Sequence, residues 1–159
     1  MAGVARVGYI DDYRSDYAQS VLSERQLPAL LHGYRAISCL RDDNSRGVYL
    51  LEDAHHQKYV LKVQPCGRED TLAHEYAVLK RIDHPQFPKA ICYTEENGNA
   101  YMVRAYVEGL SLHELATQAE TLDEAHCIFV GLSICSALSY LHGQSPPIIH
   151  RDIKPQNII

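Results

Sequence analysis

An aspartate, a lysine two residues on and an asparagine five residues on, in His150-Arg151-Asp152-Ile153-Lys154-Pro155-Gln156-Asn157-Ile158-Ile159, constrain this chain more than any other stretch. A carboxylate accepts a proton from a hydroxyl, a lysine offsets negative charge, and an asparagine amide oxygen ligates a hard cation such as Mg²⁺. Together they can surround one phosphoryl group. Pro155 forces a tight, non-helical path. The fold must therefore hold an irregular loop that aims several side chains at one point.

The chain has 159 residues, enough for one domain with a real core. Its net charge of −5 argues against a nucleic-acid binder driven by phosphate contacts. Cys39, Cys66, Cys92, Cys127 and Cys135 are scattered, with no C-x-x-C pair, and read as small buried residues in a reducing compartment. The N-terminus carries no apolar run of the signal-peptide kind, and no membrane-spanning segment is expected.

Residues 1–33 read as an extension packing loosely on the domain, with a short helix starting near Ser23. Strand-like patterning follows: Tyr34 to Leu40, Gly47 to Leu51, and Lys58 to Val63. The turn between the last two holds His55 and His56, which read as solvated turn residues because no further ligand lies at metal spacing. Glu69 to Ile82 reads as a helix whose Leu72, Tyr76, Leu79 and Ile82 share one face. Glu75 flanks that face, and Lys62 is a charge set among apolar strand residues. Burying either alone is costly, so an ion pair between them is expected, against the alternative of two snorkelling surface groups.

Ala90 to Thr94 and Ala100 to Val107 read as a hairpin around Asn97-Gly98. Ser111 caps a short helix, Leu112 to Gln118, with Glu114 at its third position. Thr121 to His142 is a long helix with Ala125, Ile128, Phe129, Leu132, Cys135, Leu138 and Leu141 as its expected buried stripe. Ile148-Ile149 reads as a short strand.

The terminal run resembles the H-R-D-x-K-x-x-N catalytic loop of eukaryotic-type protein kinases, and Lys154 resembles the serine/threonine branch. Val60-Leu61-Lys62 resembles the V-A-I-K strand, Asp83-His84-Pro85 the turn after the small-lobe helix, and Tyr101 to Gly109 the hinge. The resemblance covers residues 34–159. It implies an α+β, protein-kinase-like fold: a five-stranded antiparallel N-lobe sheet with one helix, then the first helices and catalytic loop of the C-lobe. The implied boundaries are 34–104 for the N-lobe, 105–110 for the hinge and 111–159 for a partial C-lobe.

The implied activity is a serine/threonine protein kinase that uses ATP and Mg²⁺ on a protein hydroxyl. The resemblance makes Asp152 the base, Lys154 the neutraliser of the γ-phosphate and Asn157 an Mg²⁺ ligand. Lys62 would hold the α and β phosphates, with Glu75 as its partner. Val48, Val60 and the backbone of Ala105 and Val107 would form the rest of the nucleotide site. His150 would pack beneath the loop in one stack with Leu79, and Arg151 would meet a phosphorylated activation loop. The part is expected in the cytoplasm.

Several positions depart from the family pattern. G-x-G-x-x-G-x-V, ending at Val48, puts Arg41, Asp43 and Arg46 where glycines stand, so backbone N–H groups lose their close approach to phosphate. Arg41 and Arg46 would compensate by charge. Gln86 replaces the family's Asn, Val60 and Leu61 fill space usually left by a small Ala, and Arg104 stands behind the hinge where an apolar or small residue is usual. The D-F-G run would come roughly fifteen to twenty residues after the loop, so the chain reads as a fragment without measurable phosphotransfer of its own. A pseudokinase or nucleotide-binding scaffold is the main alternative, and a small-molecule phosphotransferase a weaker one.

Overall fold

The computed structural model describes residues 27–43, 46–67, 71–118 and 123–159. These form two compact units: residues 27–81 with 89–106, and residues 82–88 with 107–159. The expected helix start near Ser23 lies outside the described residues.

The first unit is an antiparallel sheet of five strands in the order β1-β2-β3-β5-β4. The strands are β1 (Tyr34–Asp42), β2 (Gly47–Asp53), β3 (Lys58–Pro65), β4 (Ala90–Glu96) and β5 (Asn99–Ala105). Helix α1 (Thr71–Arg81) joins β3 to β4. The two expected tight turns are present. Asp53 accepts from the N–H groups of His55 and Gln57 at 2.8 and 2.9 Å, and His56 takes φ 60°. Asn97 and Gly98 take φ 51° and 78°, the left-handed pair that matches the twist of a two-residue hairpin.

Alternation along the strands sorts the side chains onto two faces. Ala36, Cys39, Tyr49, Leu51, Leu61, Tyr101 and Val103 share one buried cluster. Leu27 and Leu31 belong to that cluster at 3% and 0% exposure, so the end of the stretch read as a loose extension is part of the sheet's core. The other face carries Val48, Val60, Lys62, Met102 and Arg104. Register aligns Val48 with Lys62, Lys62 with Met102, and Val60 with Arg104.

The second unit holds helices α2 (Leu112–Thr117) and α3 (Glu124–His142), followed by the terminal loop. Ser111 forms the expected capping box: its hydroxyl accepts from the Glu114 N–H, and the Glu114 carboxylate accepts from the Ser111 N–H. Asp123 caps α3 by accepting from the His126 N–H at 2.8 Å.

The expected stripe on α3 is only partly buried. Leu141 is buried and Leu138 half-buried, but Ile128, Phe129 and Leu132 are 55, 39 and 66% exposed, and Ala125 and Cys135 are exposed. The cover is at the C-terminal half, where Ala137 and Leu138 line an apolar pocket with Phe87, His150 and Ile158. The N-terminal half is mostly exposed, with Val130 half-buried. The same helix is long and apolar enough, by length and composition alone, to cross a membrane. No segment of that kind was expected from the sequence.

Ile148-Ile149 is not a strand. The Ile148 N–H donates to the Leu141 carbonyl at 3.0 Å, which continues the α3 terminus instead of pairing with a strand.

Candidate active site

Lys62 and Glu75 meet as the isolated charges required. The Lys62 Nζ donates to both carboxylate oxygens of Glu75, at 3.0 and 3.2 Å, from the middle of β3 to the first half of α1. The two side chains are 16 and 26% exposed, so water screens the pair only in part. Thr71, at the start of α1, donates to Gln64 at 2.7 Å and ties the helix to the same strand.

Beside this pair lies a cavity of about 210 Å³, lined among others by Arg41, Asp43, Arg46, Val48, Lys62 and Glu75. Arg41 and Arg46 thus flank the same space as Lys62. Asp43 takes part in closing the β1–β2 turn, accepting from the Arg46 N–H at 2.8 Å while its own N–H donates to the Arg46 carbonyl at 3.1 Å. Arg41 stands 3.8 Å from the Asp43 carboxylate. Side-chain bonds hold the turn where the family pattern has glycines.

The β5 terminus is tightly bonded. The Ala105 N–H donates to the Lys89 carbonyl at 2.8 Å, and the Ala105 carbonyl accepts from Arg104 Nη1 at 3.2 Å. Arg104 is only 3% exposed. Both polar backbone groups of Ala105 are therefore engaged within the chain, which the sequence did not reveal. Val107 is buried, and Val48 and Val60 are buried on the Lys62 face of the sheet. Gly109 sits at φ 145°, and a Cβ there would lie 2.6 Å from Ile159 Cγ2, so only glycine fits the chain's turn into α2.

In the helical unit the terminal loop converges on Asp152. Its Oδ2 accepts from Asn157 Nδ2 at 2.9 Å and faces Lys154 Nζ at 3.2 Å. Asn157 Nδ2 also donates to the Asp152 backbone carbonyl at 2.9 Å, and Asn157 is 2% exposed. Burial pushes the Asp152 carboxyl up, but the bonds from Lys154 and Asn157 outweigh it and hold it below the usual aspartate value, so it is ionised at neutral pH. Lys154 is half-exposed, with its amine turned onto the carboxylate.

His150 packs against Phe87 with ring centroids 6.4 Å apart. Burial lowers its pKa, with the nearby Asp152 charge pulling the other way. The Asp152 N–H points at His150 Nδ1 at 3.4 Å, which suits a neutral imidazole accepting there. Arg151 between them is exposed and takes φ 63°, a left-handed conformation that residues other than glycine rarely adopt. Gln86, where the family pattern has Asn, is buried, and its Oε1 has no hydrogen-bond partner among the described residues.

No group of three His, Cys, Asp or Glu side chains capable of holding a metal occurs among the described residues. Mg²⁺ does not need one, because it is usually held by one or two protein oxygens together with substrate phosphates and water. Asn157 fits that chemistry: its amide nitrogen is committed to Asp152, which fixes the orientation of its carbonyl oxygen.

Comparison with known proteins agrees with this geometry. The protein kinase domain family matches residues 47–159. A serine/threonine-protein kinase of Drosophila persimilis is 31% identical over 140 residues, covering 84% of this chain and 18% of that protein. The serine/threonine-protein kinase DCLK2 of Rattus norvegicus is 32% identical over 102 residues, covering 64% of this chain and 13% of its own length. This chain thus spans less than a fifth of these relatives. Among solved structures, Rad53 1-466 in complex with AMP-PNP superposes with a TM-score of 0.68 at 22% identity, covering 84% of this chain and 36% of that one, a likeness of fold. With the five-stranded sheet, its single helix and the loop around Asp152 in place, the chain belongs to the protein kinase domain family.

Proposed function

We propose that the protein carrying this chain is an ATP-dependent serine/threonine protein kinase. The observation that carries this reading is the Asp152 carboxylate, held ionised between Lys154 and Asn157. An ionised carboxylate fixed in place can orient a Ser or Thr hydroxyl of a protein substrate and accept its proton as the oxygen attacks the γ-phosphorus. The bond from that phosphorus to the bridging oxygen breaks, and ADP leaves. Lys154, half-exposed beside Asp152, would turn to the transferring phosphate. Lys62, steered by Glu75, holds the inner phosphates. Asn157 offers an oxygen to Mg²⁺, which when bound offsets phosphate charge. Little covalent work falls to the protein, so positioning and charge account for most of the rate.

Replacing Asp152 by Asn in the full-length protein keeps the shape and removes the base. Phosphotransfer should fall by about 10³-fold, with ATP affinity unchanged within about threefold. Turnover equal to wild type would refute the role given to Asp152.

A second reading, a nucleotide-binding scaffold, is favoured by Arg41, Asp43 and Arg46 in place of the glycines. It predicts ATP binding by the wild type with no phosphotransfer to any Ser/Thr peptide. We place this part of the protein in the cytoplasm, a reading that the scatter of its five cysteines, with no C-x-x-C pair, supports. Recovery of the protein from an oxidising lumen would count against it.

A further inference from the structure

We propose that Arg46 grips the terminal phosphate of the nucleotide and makes the site prefer a triphosphate to a diphosphate; this rests on the nucleotide-binding reading above. The cavity beside β3 is lined by the cations Arg41, Arg46 and Lys62 and by the carboxylates Asp43 and Glu75. Lys62 bonds to Glu75, and Arg41 stands 3.8 Å from Asp43. Arg46 differs from both. Among the described residues it makes backbone bonds only: its N–H donates to the Asp43 carboxylate at 2.8 Å, and its carbonyl accepts from the Asp43 N–H at 3.1 Å. These bonds fix the backbone of an exposed residue whose side chain borders the cavity. A guanidinium keeps its charge and presents a fork of donors that matches two phosphate oxygens at once.

The register says which phosphate Arg46 meets. In the nucleotide reading the base belongs at the Ala105 end of β5. Ala105 opposes Tyr59, and Tyr59 opposes Leu51. Further from that end, Met102 opposes Lys62, and Lys62 opposes Val48. Arg41 opposes Val48 in turn. Arg46 lies two residues beyond Val48 in the same direction, up to about 7 Å of extended chain. A row of phosphates running from the base past Lys62 therefore brings its far end to Arg46. Where the family pattern has a glycine, whose backbone N–H approaches phosphate, this chain offers a charged side chain. The diphosphate left after transfer lacks the group that Arg46 holds.

The test is calorimetric titration of the full-length protein with ATP and with ADP, each with Mg²⁺, in wild type, Arg46→Gln and Arg46→Lys. Wild type should bind ATP about tenfold more tightly than ADP. Arg46→Gln, polar but uncharged, should weaken ATP binding by about tenfold and ADP binding by less than about threefold. Arg46→Lys should keep most of the preference for ATP. Because Arg46 is exposed, raising the salt from about 50 to about 300 mM should shrink the wild-type preference and leave that of Arg46→Gln unchanged. If Arg46→Gln does not fold, the wild-type preference and its salt dependence decide alone. ATP binding by Arg46→Gln within about threefold of wild type, equal losses for ATP and ADP, or a wild-type preference that is absent or insensitive to salt would overturn the proposal and leave the kinase reading intact. Binding of neither nucleotide by wild type would overturn the nucleotide reading, and this proposal with it.

Discussion

The sheet and helix α3 bury their apolar residues to very different degrees. On one face of the sheet, Leu31, Leu51, Leu61 and Val103 are fully buried by the strands themselves and by the segment carrying Leu27. On α3, Ile128, Phe129 and Leu132 remain exposed, and full burial comes only at Ala137 and Leu141. Both stretches look apolar in sequence. Strands bury each other through pairing, whereas a helix face is buried only if another element packs on it. The candidate site groups follow the same division. Lys62 is held by an element packed on its own sheet, and the Asp152 loop is anchored at the buried end of α3 through Phe87, His150 and Ile158.

This contrast can be broken most directly by cutting into each region. Leu61→Ala removes a fully buried side chain from the sheet core and should cost about 2–5 kcal/mol, read as a drop in urea midpoint. An effect below about 1 kcal/mol would mean that the sheet is not the closed unit described. Ser111→Ala removes a cap from the helical unit and should cost about 1 kcal/mol, with Ser111→Asp restoring most of it.

His150 sharpens the comparison through pH. Its folded pKa lies below its ordinary value, so in mild acid the unfolded chain takes up a proton that the folded loop resists. Its contribution to stability is therefore complete above about pH 6.5 and declines below that value. Thermal unfolding should show this decline, and His150→Phe should flatten it. An unchanged slope in the variant would assign the acid sensitivity to other groups. The smallest effect belongs to the uncovered face: Leu132→Ser should change stability by no more than about 0.5 kcal/mol. A loss comparable to that of Leu61→Ala would show that something covers this face.

Local chemistry was readable in the sequence where neighbours along the chain decide it. The Asn97-Gly98 turn, the Ser111–Glu114 capping box and the central spans of the strands and helices follow from short-range rules. The Lys62–Glu75 pair was readable for a different reason: each charge sits where it needs the other. What stayed hidden depends on distant partners. The α3 period names a face but not what covers it. Ile148 and Ile149 have strand-forming side chains, yet Ile148 bonds to the end of α3. The bonds closing both sides of Ala105 come from Lys89 and Arg104, and only the folded sheet brings Lys89 there. Arg104 stood out in the sequence as an unusual residue, but its hold on the Ala105 carbonyl is set by the folded strand.

The central claim is that the cation of β3, steered by the carboxylate of α1, receives a nucleotide triphosphate. The most direct measurement is thermal unfolding of the full-length protein with and without ATP and Mg²⁺, in wild type and in Lys62→Met. Ligand that binds only the native state raises the melting temperature. The account predicts a clear rise for wild type and little or none for Lys62→Met at the same nucleotide concentration. An equal rise in both would contradict it.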